Sequence, residues 1–84
     1  MKKREPLDIY TDIVANLIEG PKGSTRLAQA CNVNYGRVSR FTNALQERGL
    51  IRRETREGQE VFVVTEEGVQ VYRLWSELRQ RLPV

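Results

Sequence analysis

Apolar residues recur at helical spacing near the start of the chain. The i, i+3, i+4, i+7 and i+8 positions of one helix face are occupied by Tyr10, Ile13, Val14, Leu17 and Ile18. Pro6 suits a first helical turn, and "GP" at residues 20–21 ends the helix because proline has no N–H to continue the hydrogen-bond ladder. The pattern predicts a helix over residues 7–19.

The stretch "LAQACNVNYGRVSRF" predicts two helices that meet at a tight corner. Ser24 or Thr25 is expected to cap the first helix, which ends at Cys31. Asn32 then forms the corner, since asparagine tolerates the left-handed backbone conformation. Asn34 is expected to cap the second helix, which Gly49 closes. The residues expected to face the core here are Leu27, Ala28, Cys31, Val33, Val38, Phe41 and Leu45.

The hydrophobic period changes in "LIRRETREGQEVFVVT". β-Branched and aromatic residues gather between Val61 and Val64, and the glycine-containing turn "REGQ" separates two extended arms. Strand alternation puts Phe62 and Val64 on one face, with Ile51 as the cross-strand contributor. This pattern predicts a β-hairpin.

Thr65 is expected to cap a last helix, with Glu66 and Glu67 in its first turn and its end near residue 82. Its apolar residues do not fit one stripe, and a small domain has little core left to cover two sides. We therefore expect this helix to pair with its copy in a homodimer. The residues expected at that interface are Val71, Leu74, Trp75, Leu78 and Leu82.

The elements together predict a mostly α fold with a small β-hairpin. At 84 residues the chain is too short for two independent cores, so it is expected to be a single domain. Hydrophobic residues at 39% and charged residues at 30% are typical of a folded domain. Neither a membrane-spanning run nor a secretory signal is visible, so we expect a cytoplasmic protein.

The residue types argue against several chemistries. The single cysteine, Cys31, cannot form an internal disulfide or build a zinc site alone, and the absence of histidine removes the usual general base. No glycine-rich phosphate loop is present. We therefore expect no enzyme activity, no cofactor, no metal and no small-molecule ligand.

Positive charge is concentrated in one part of the sequence. Residues 22–56 contain eight basic and only two acidic residues, whereas acids outnumber bases in the remainder. The basic set is Lys22, Arg26, Arg37, Arg40, Arg48, Arg52, Arg53 and Arg56. Such asymmetry is compatible with a binding face for a polyanion, and equally with a solvated charged surface.

The corner has the residue types that a helix-turn-helix requires: a small residue at the crossing, a turn residue tolerant of unusual angles and an apolar plug after it. In "LAQACNVNYGRVSRFTNALQERGLI" and "VFVVTEEG" the sequence resembles the archaeal winged helix-turn-helix proteins and, more broadly, the MarR-like regulators. Asn32 departs from the glycine that is usual in the turn. The resemblance implies three helices, a β-wing and a C-terminal helix that often pairs with its twin. It implies a DNA-binding domain over residues 1–65 and a dimerisation helix over residues 66–84.

The second helix of such a motif enters the major groove of DNA. Its face opposite the core should hold Gly36, Ser39, Arg40 and Asn43, flanked by Arg37. Arg40 is expected to bind a guanine edge and Asn43 an adenine edge. The remaining expected contacts, to phosphates or the minor groove, are Tyr35, Arg37, Ser39 and, on the wing, Arg52, Arg53 and Arg56.

Three functions remain open at the level of sequence. The favoured one is sequence-specific binding of double-stranded DNA by a nucleoid-associated transcriptional regulator. An architectural, chromatin-like DNA binder would use the same fold with little sequence preference. A winged helix that binds only proteins would be expected to expose apolar residues where this chain has Arg37, Arg40 and Asn43.

Overall fold

Residues 5–83 are described by a computed structural model, which contains four helices and one two-stranded hairpin. The elements in chain order are α1 (Pro6–Glu19), α2 (Ser24–Cys31), α3 (Tyr35–Glu47), β1 (Ile51–Arg56), β2 (Gln59–Val64) and α4 (Glu66–Arg81). The predicted class, a mostly α fold with a small hairpin, is confirmed. Residues 1–4 and 84, which the predicted domain boundaries include, lie outside the described residues.

Helix α1 crosses the centre of the fold, where it contacts the other three helices and β2. Its buried residues are Ile9, Ile13, Val14 and Leu17. The predicted stripe was wrong at Ile18, which is 42% exposed, whereas Tyr10 is half-buried and packs against the core as predicted. The predicted stripe and the buried stripe, which includes Ile9, share Ile13, Val14 and Leu17. Which of the two stripes is buried depends on where the neighbouring elements lie.

The corner between α2 and α3 has the predicted geometry. Asn32 is left-handed, with φ 54° and ψ 47°, and the Val33 N–H donates to the Ala28 carbonyl at 2.9 Å. Asn34 caps α3, since its side-chain oxygen accepts from the Gly36 N–H at 2.7 Å. The corner therefore fixes the direction in which α3 leaves α2.

The cap predicted for α2 was wrong. Gly23 is the N-cap, and neither it nor any side chain of the described residues closes this helix end with a cap hydrogen bond. The chain arrives here from a short bridge in which Lys22 and Phe62 exchange two backbone hydrogen bonds, at 2.8 and 3.3 Å. This pairing with β2 sets where α2 begins, so Ser24 falls inside the first turn.

The core lies between α1, α2, α3 and the base of the hairpin. It contains the predicted Leu27, Ala28, Cys31, Val38, Leu45, Ile51 and Phe62. Phe41 is half-buried and packs edge-to-face on Tyr10, with ring centroids 5.0 Å apart. Thr42 is fully buried, which the apolar pattern did not predict; its hydroxyl donates to the Ser39 carbonyl at 3.2 Å, so its polarity is satisfied.

The hairpin is antiparallel, with Ile51 opposite Val64 and Arg56 opposite Gln59. Glu57 and Gly58 at its tip both have positive φ, 52° and 77°. Positive φ at both central residues is typical of a type I′ turn, whose twist matches that of the flanking strands. The short turn keeps the wing compact.

Helix α4 is attached through its first half. Thr65 caps it as predicted, accepting from the Gly68 N–H at 3.0 Å while its own hydroxyl donates to the Gly49 carbonyl at 2.7 Å. Gly68 is the buried residue of this helix. A Cβ at this position would overlap the Leu50 carbonyl oxygen, so the close approach of α4 requires glycine.

Candidate DNA interface

The first half of α3 presents its polar side chains to solvent. Val38, Thr42 and Leu45 hold the opposite face against the core. The exposed residues are Tyr35, Gly36, Arg37, Ser39, Arg40 and Asn43, as expected from the helical wheel. One face of about two and a half turns of the helix, from Tyr35 to Asn43, is therefore accessible to a partner.

Arg37 and Arg40 are unopposed by acids. Within residues 5–83 neither forms an ion pair, and Glu47 follows Arg40 by about two turns, or about 10 Å along the helix axis. The Arg37 guanidinium lies 5.9 Å from the centroid of the Phe41 ring, a distance at which the ring still attracts the cation. Both guanidiniums are thus free to accept an anionic partner.

Strand alternation separates the three arginines of the wing. Arg53 is paired across the hairpin with Phe62, and its guanidinium lies 5.3 Å from the centroid of that ring. Arg52 and Arg56 lie on the other face of β1. The prediction from sequence assigned all three arginines to the DNA interface as one group. In the structure, only Arg53 lies on the side of the hairpin that faces α3.

Arg53, α3 and the start of α2 border one open groove of about 540 Å³. Tyr35 and Ser39 line it from α3, and Ser24, Thr25 and Arg26 line it from α2. Sequence reasoning did not assign the three α2 residues to the interface, although Arg26 belongs to the basic window. The acid in this groove is Glu60, whose carboxylate is 3.3 Å from Arg53 Nη1.

The basic window does not form a single face. Lys22 Nζ donates to the Asn16 carbonyl at 2.6 Å and so closes the end of α1. Arg48 lines a different cleft, between α1, α3 and α4. The arginines available beside α3 are therefore fewer than the number of basic residues in this part of the sequence indicates.

Glu54 lies between Arg52 and Arg56 on the outer face of the wing. One carboxylate oxygen accepts from Arg52, at 2.9 Å from Nε and 2.7 Å from Nη2. The other accepts from Arg56, at 3.1 Å from Nε and 3.0 Å from Nη2. Hydrogen bonds from Arg52 and then Arg56 hold the pKa of Glu54 below its ordinary value of 4.5.

The second half of α4 is uncovered. Leu74 is 67% exposed, and Val71, Leu78 and Leu82 are 44–56% exposed. Trp75 is half-buried beside Tyr72, with ring centroids 5.9 Å apart. Val71 and Trp75 also line the cleft of about 330 Å³ that α4 forms with α1 and α3. Large apolar side chains exposed along one helix are typical of a surface that another molecule covers.

Among residues 5–83, no helix is both long enough and apolar enough to span a bilayer. In the same range, His, Cys, Asp and Glu side chains form no group of three or more that could bind a metal ion.

Solved structures with the same architecture include DNA-binding proteins and regulators. Sso10a-2, a DNA-binding protein from Sulfolobus solfataricus, matches with a TM-score of 0.73 at 21% identity, over 92% of this chain and 83% of that one. A MarR-family transcriptional regulator from Silicibacter pomeroyi matches with a TM-score of 0.73 at 28% identity. That match covers 87% of this chain but only 52% of the regulator, so the chain spans about half of that protein.

A third structure is the homodimeric winged helix-turn-helix DNA-binding domain of Mb0332 from Mycobacterium bovis. It matches with a TM-score of 0.74 at 19% identity, over 86% of this chain and 68% of that one. No curated protein sequence matches the chain. The fold resembles that of transcriptional regulators, as the sequence predicted.

The family model described as winged helix-turn-helix matches residues 3–82, nearly the whole chain. The elements follow the order of that fold: three helices, a two-stranded wing and a C-terminal helix. The chain therefore belongs to the winged helix-turn-helix family.

Proposed function

We propose that this protein binds double-stranded DNA sequence-specifically as a homodimer and regulates transcription. The observation that carries the proposal is the exposed first half of α3, which presents Arg37 and Arg40 without an ion pair among the described residues. A helix about 10 Å across fits the major groove. The proposal implies a cytoplasmic protein associated with the nucleoid.

The exposed residues of α3 differ in what they can recognise. Arg40 can donate twice to O6 and N7 of guanine, and Asn43 can form a paired contact with adenine. Tyr35, Arg37 and Ser39 are better suited to phosphates, which position the protein without reading sequence. Gly36 would allow the DNA backbone to approach closely. Its Cα also faces Asn34 Oδ1, which would lie 3.2 Å from a Cβ, so the cap is a second reason for glycine here.

The groove beside α3 extends this surface toward the wing. Arg26 lines it from α2 and Arg53 from the wing, so a phosphate strand lying in the groove would meet positive charge from two elements. Arg53 is therefore the wing arginine that we assign nearest to the DNA. Arg52 and Arg56 belong to the same wing but lie on its outer face.

Dimerisation through residues 66–84 would give two recognition helices. The support is the exposure of Val71, Leu74, Leu78 and Leu82 together with the half-buried Trp75. A two-fold dimer with its recognition helices about 34 Å apart would read a near-palindromic site. The DNA-binding part would then be residues 1–65.

Duplex selection at two salt concentrations tests binding, specificity and electrostatics together. A specific regulator should enrich one motif and bind it about 10³-fold or more above random DNA. An architectural protein would bind without enrichment. A winged helix that docks only on proteins would not bind duplex at low salt.

Arg40→Ala tests the assignment of α3. It should weaken binding to the selected site by ~1–3 kcal/mol and relax preference at one base pair, because a guanine contact is lost. Arg73→Ala is the matched control, since it removes the same charge from an exposed position on α4. Equal affinity and equal preference of both variants and the wild type would rule out this surface.

A further inference from the structure

The outer face of the wing contains a three-residue network, Arg52, Glu54 and Arg56, here called the wing triad. Each arginine uses its Nε and Nη2 atoms on one carboxylate oxygen of Glu54, at distances between 2.7 and 3.1 Å. Both oxygens of one carboxylate are thus occupied by guanidinium donors. The Glu54 side chain is 27% exposed, while those of Arg52 and Arg56 are 59% and 52% exposed.

The wing triad differs from the other ion pair of the hairpin. Arg53 makes one contact with Glu60, at 3.3 Å, and both side chains are more than half exposed. Isolated exposed ion pairs of this kind contribute little to stability, whereas networks of several charges are the exception. A phosphate could therefore displace Glu60 from Arg53 more readily than it could displace Glu54 from Arg52 and Arg56.

This difference bears on DNA binding because phosphate contacts act through counterion release. Each Lys or Arg that neutralises a phosphate raises the dependence of log K on log salt by about 0.9. An arginine already neutralised by a carboxylate has less charge to offer and must first lose that partner. Arg52 and Arg56 share the one carboxylate of Glu54, so the wing triad offers a single net positive charge, whereas Arg53 has only its one longer contact with Glu60.

We propose that Glu54 restrains Arg52 and Arg56 and thereby limits the affinity of the wing for DNA phosphates. The proposal rests on the DNA binding proposed above and divides the wing by function. Arg53, on the face toward α3, contacts the backbone. Arg52 and Arg56 are held by Glu54, so the total affinity depends less on sequence-independent contacts and more on α3. Glu54 is a positioning residue in this scheme, acting on DNA through the two guanidiniums.

The test measures binding of the full chain to a random-sequence duplex by fluorescence anisotropy over a series of salt concentrations. Glu54→Gln frees two guanidiniums and should steepen the salt dependence by about 1 to 2 in slope. Between about 200 mM and about 50 mM salt its affinity should rise up to about tenfold more than that of the wild type, since each phosphate contact changes the affinity about threefold over that range. Glu54→Thr should give the same changes in salt slope and affinity as Glu54→Gln, because threonine is also neutral and favours a β-strand.

Glu57→Gln is the matched control. It removes the same charge at the adjacent turn, where Glu57 has no ion pair among the described residues. Its affinity should change less than about threefold and its salt slope should not change. The triple variant Arg52→Gln/Glu54→Gln/Arg56→Gln should lose the gain, because the freed guanidiniums are gone. Circular dichroism of every variant checks that the wing still folds.

Three results would overturn the proposal: equal effects of the Glu54 and Glu57 variants, weaker binding by Glu54→Gln, or a gain that persists in the triple variant. Weaker binding would mean that Glu54 prepares the two arginines for contact instead of restraining them. These results are distinct from failure of the proposed function. In that case the wild-type protein would not bind duplex at low salt at all.

Discussion

Gly68 shows how a single residue without a side chain determines where a helix packs. Its N–H satisfies the Thr65 cap, and its Cα lies against the Leu50 carbonyl at the start of the hairpin. Val64 contributes a methyl group 2.9 Å from the position a Cβ would take. Backbone on one side and a core side chain on the other leave no room for even one added carbon atom.

Gly68→Ala should therefore destabilise the protein by about 3 kcal/mol, because α4 must move away from residue 50. Urea unfolding followed by circular dichroism measures the change. Gly36→Ala is the matched control: it too lies in the first turn of a helix and donates to a capping side chain, but it is exposed. That variant should change stability by less than about 1 kcal/mol, because the close neighbour of its Cβ, Asn34 Oδ1, is a side-chain atom that can shift slightly. Equal stability of the two variants would contradict the packing argument.

Asn32 is the second residue whose backbone determines the fold. Asn32→Ala should cost about 1 kcal/mol of unfolding free energy, since alanine disfavours the left-handed conformation at φ 54°. Asn32→Gly should retain the stability of the wild type or exceed it. The same urea titration compares them. If alanine were tolerated as well as glycine, the corner would not depend on its left-handed residue.

At the scale of elements, the wing is stabilised on two faces by different means. Phe62 is buried on the inner face. On the outer face, the wing triad of Arg52, Glu54 and Arg56 forms ion pairs. The turn at residues 57–58 closes the hairpin with two positive φ angles. The wing can therefore keep its shape while its outer charges change.

The wing triad should make stability depend on pH in the acidic range. The pKa of Glu54 is lower in the folded protein than its ordinary value of 4.5. Its contribution is therefore present at neutral pH, above the unfolded pKa, and is lost as the pH falls through the folded pKa. The melting temperature of the wild type should exceed that of Glu54→Gln at neutral pH, and the two should converge below the folded pKa. Glu57→Gln should show no such convergence; a constant gap for Glu54→Gln would contradict the network.

At the scale of the whole molecule, the surface proposed to bind DNA and the surface proposed to form the dimer lie on different elements. The groove toward the wing involves α2, α3 and the hairpin, whereas the exposed apolar residues proposed for the dimer lie on α4 or directly after it. A partner on α4 would leave Arg37 and Arg40 accessible. This separation makes a dimer compatible with DNA binding.

Leu74→Glu/Leu78→Glu should convert a dimer into a monomer, because it places two carboxylates in an apolar interface. Light scattering at micromolar concentration measures the mass. Gln70→Glu/Gln80→Glu adds the same charge at exposed polar positions of α4 and should remain dimeric. The monomer should also bind the selected duplex more weakly, since one recognition helix replaces two. A wild-type protein that is already monomeric would exclude the proposed interface.

Local signals were enough for most of the elements. Asn34 and Thr65 have cap geometry that follows from their own side chains, and Asn32 has a conformation that its type tolerates. The hairpin follows from strand alternation and a short glycine turn. These features depend on residues within a few positions of one another, so the sequence alone determines them.

Features that depend on distant contacts were not predictable. The burial of Ile9 in place of Ile18 depends on where the neighbours of α1 lie, and the start of α2 depends on the pairing of Lys22 with Phe62. The candidate site shows the same division: helical periodicity located the exposed face of α3, but Arg26 joined it only through folding. For the arginines of the wing, the sequence determined their number and their alternation along β1. That alternation also brings Arg52, Glu54 and Arg56 together on one face, since they are two residues apart on one strand. Tertiary structure decided that Arg53 faces α3, because a groove forms between elements whose separation only the folded chain sets.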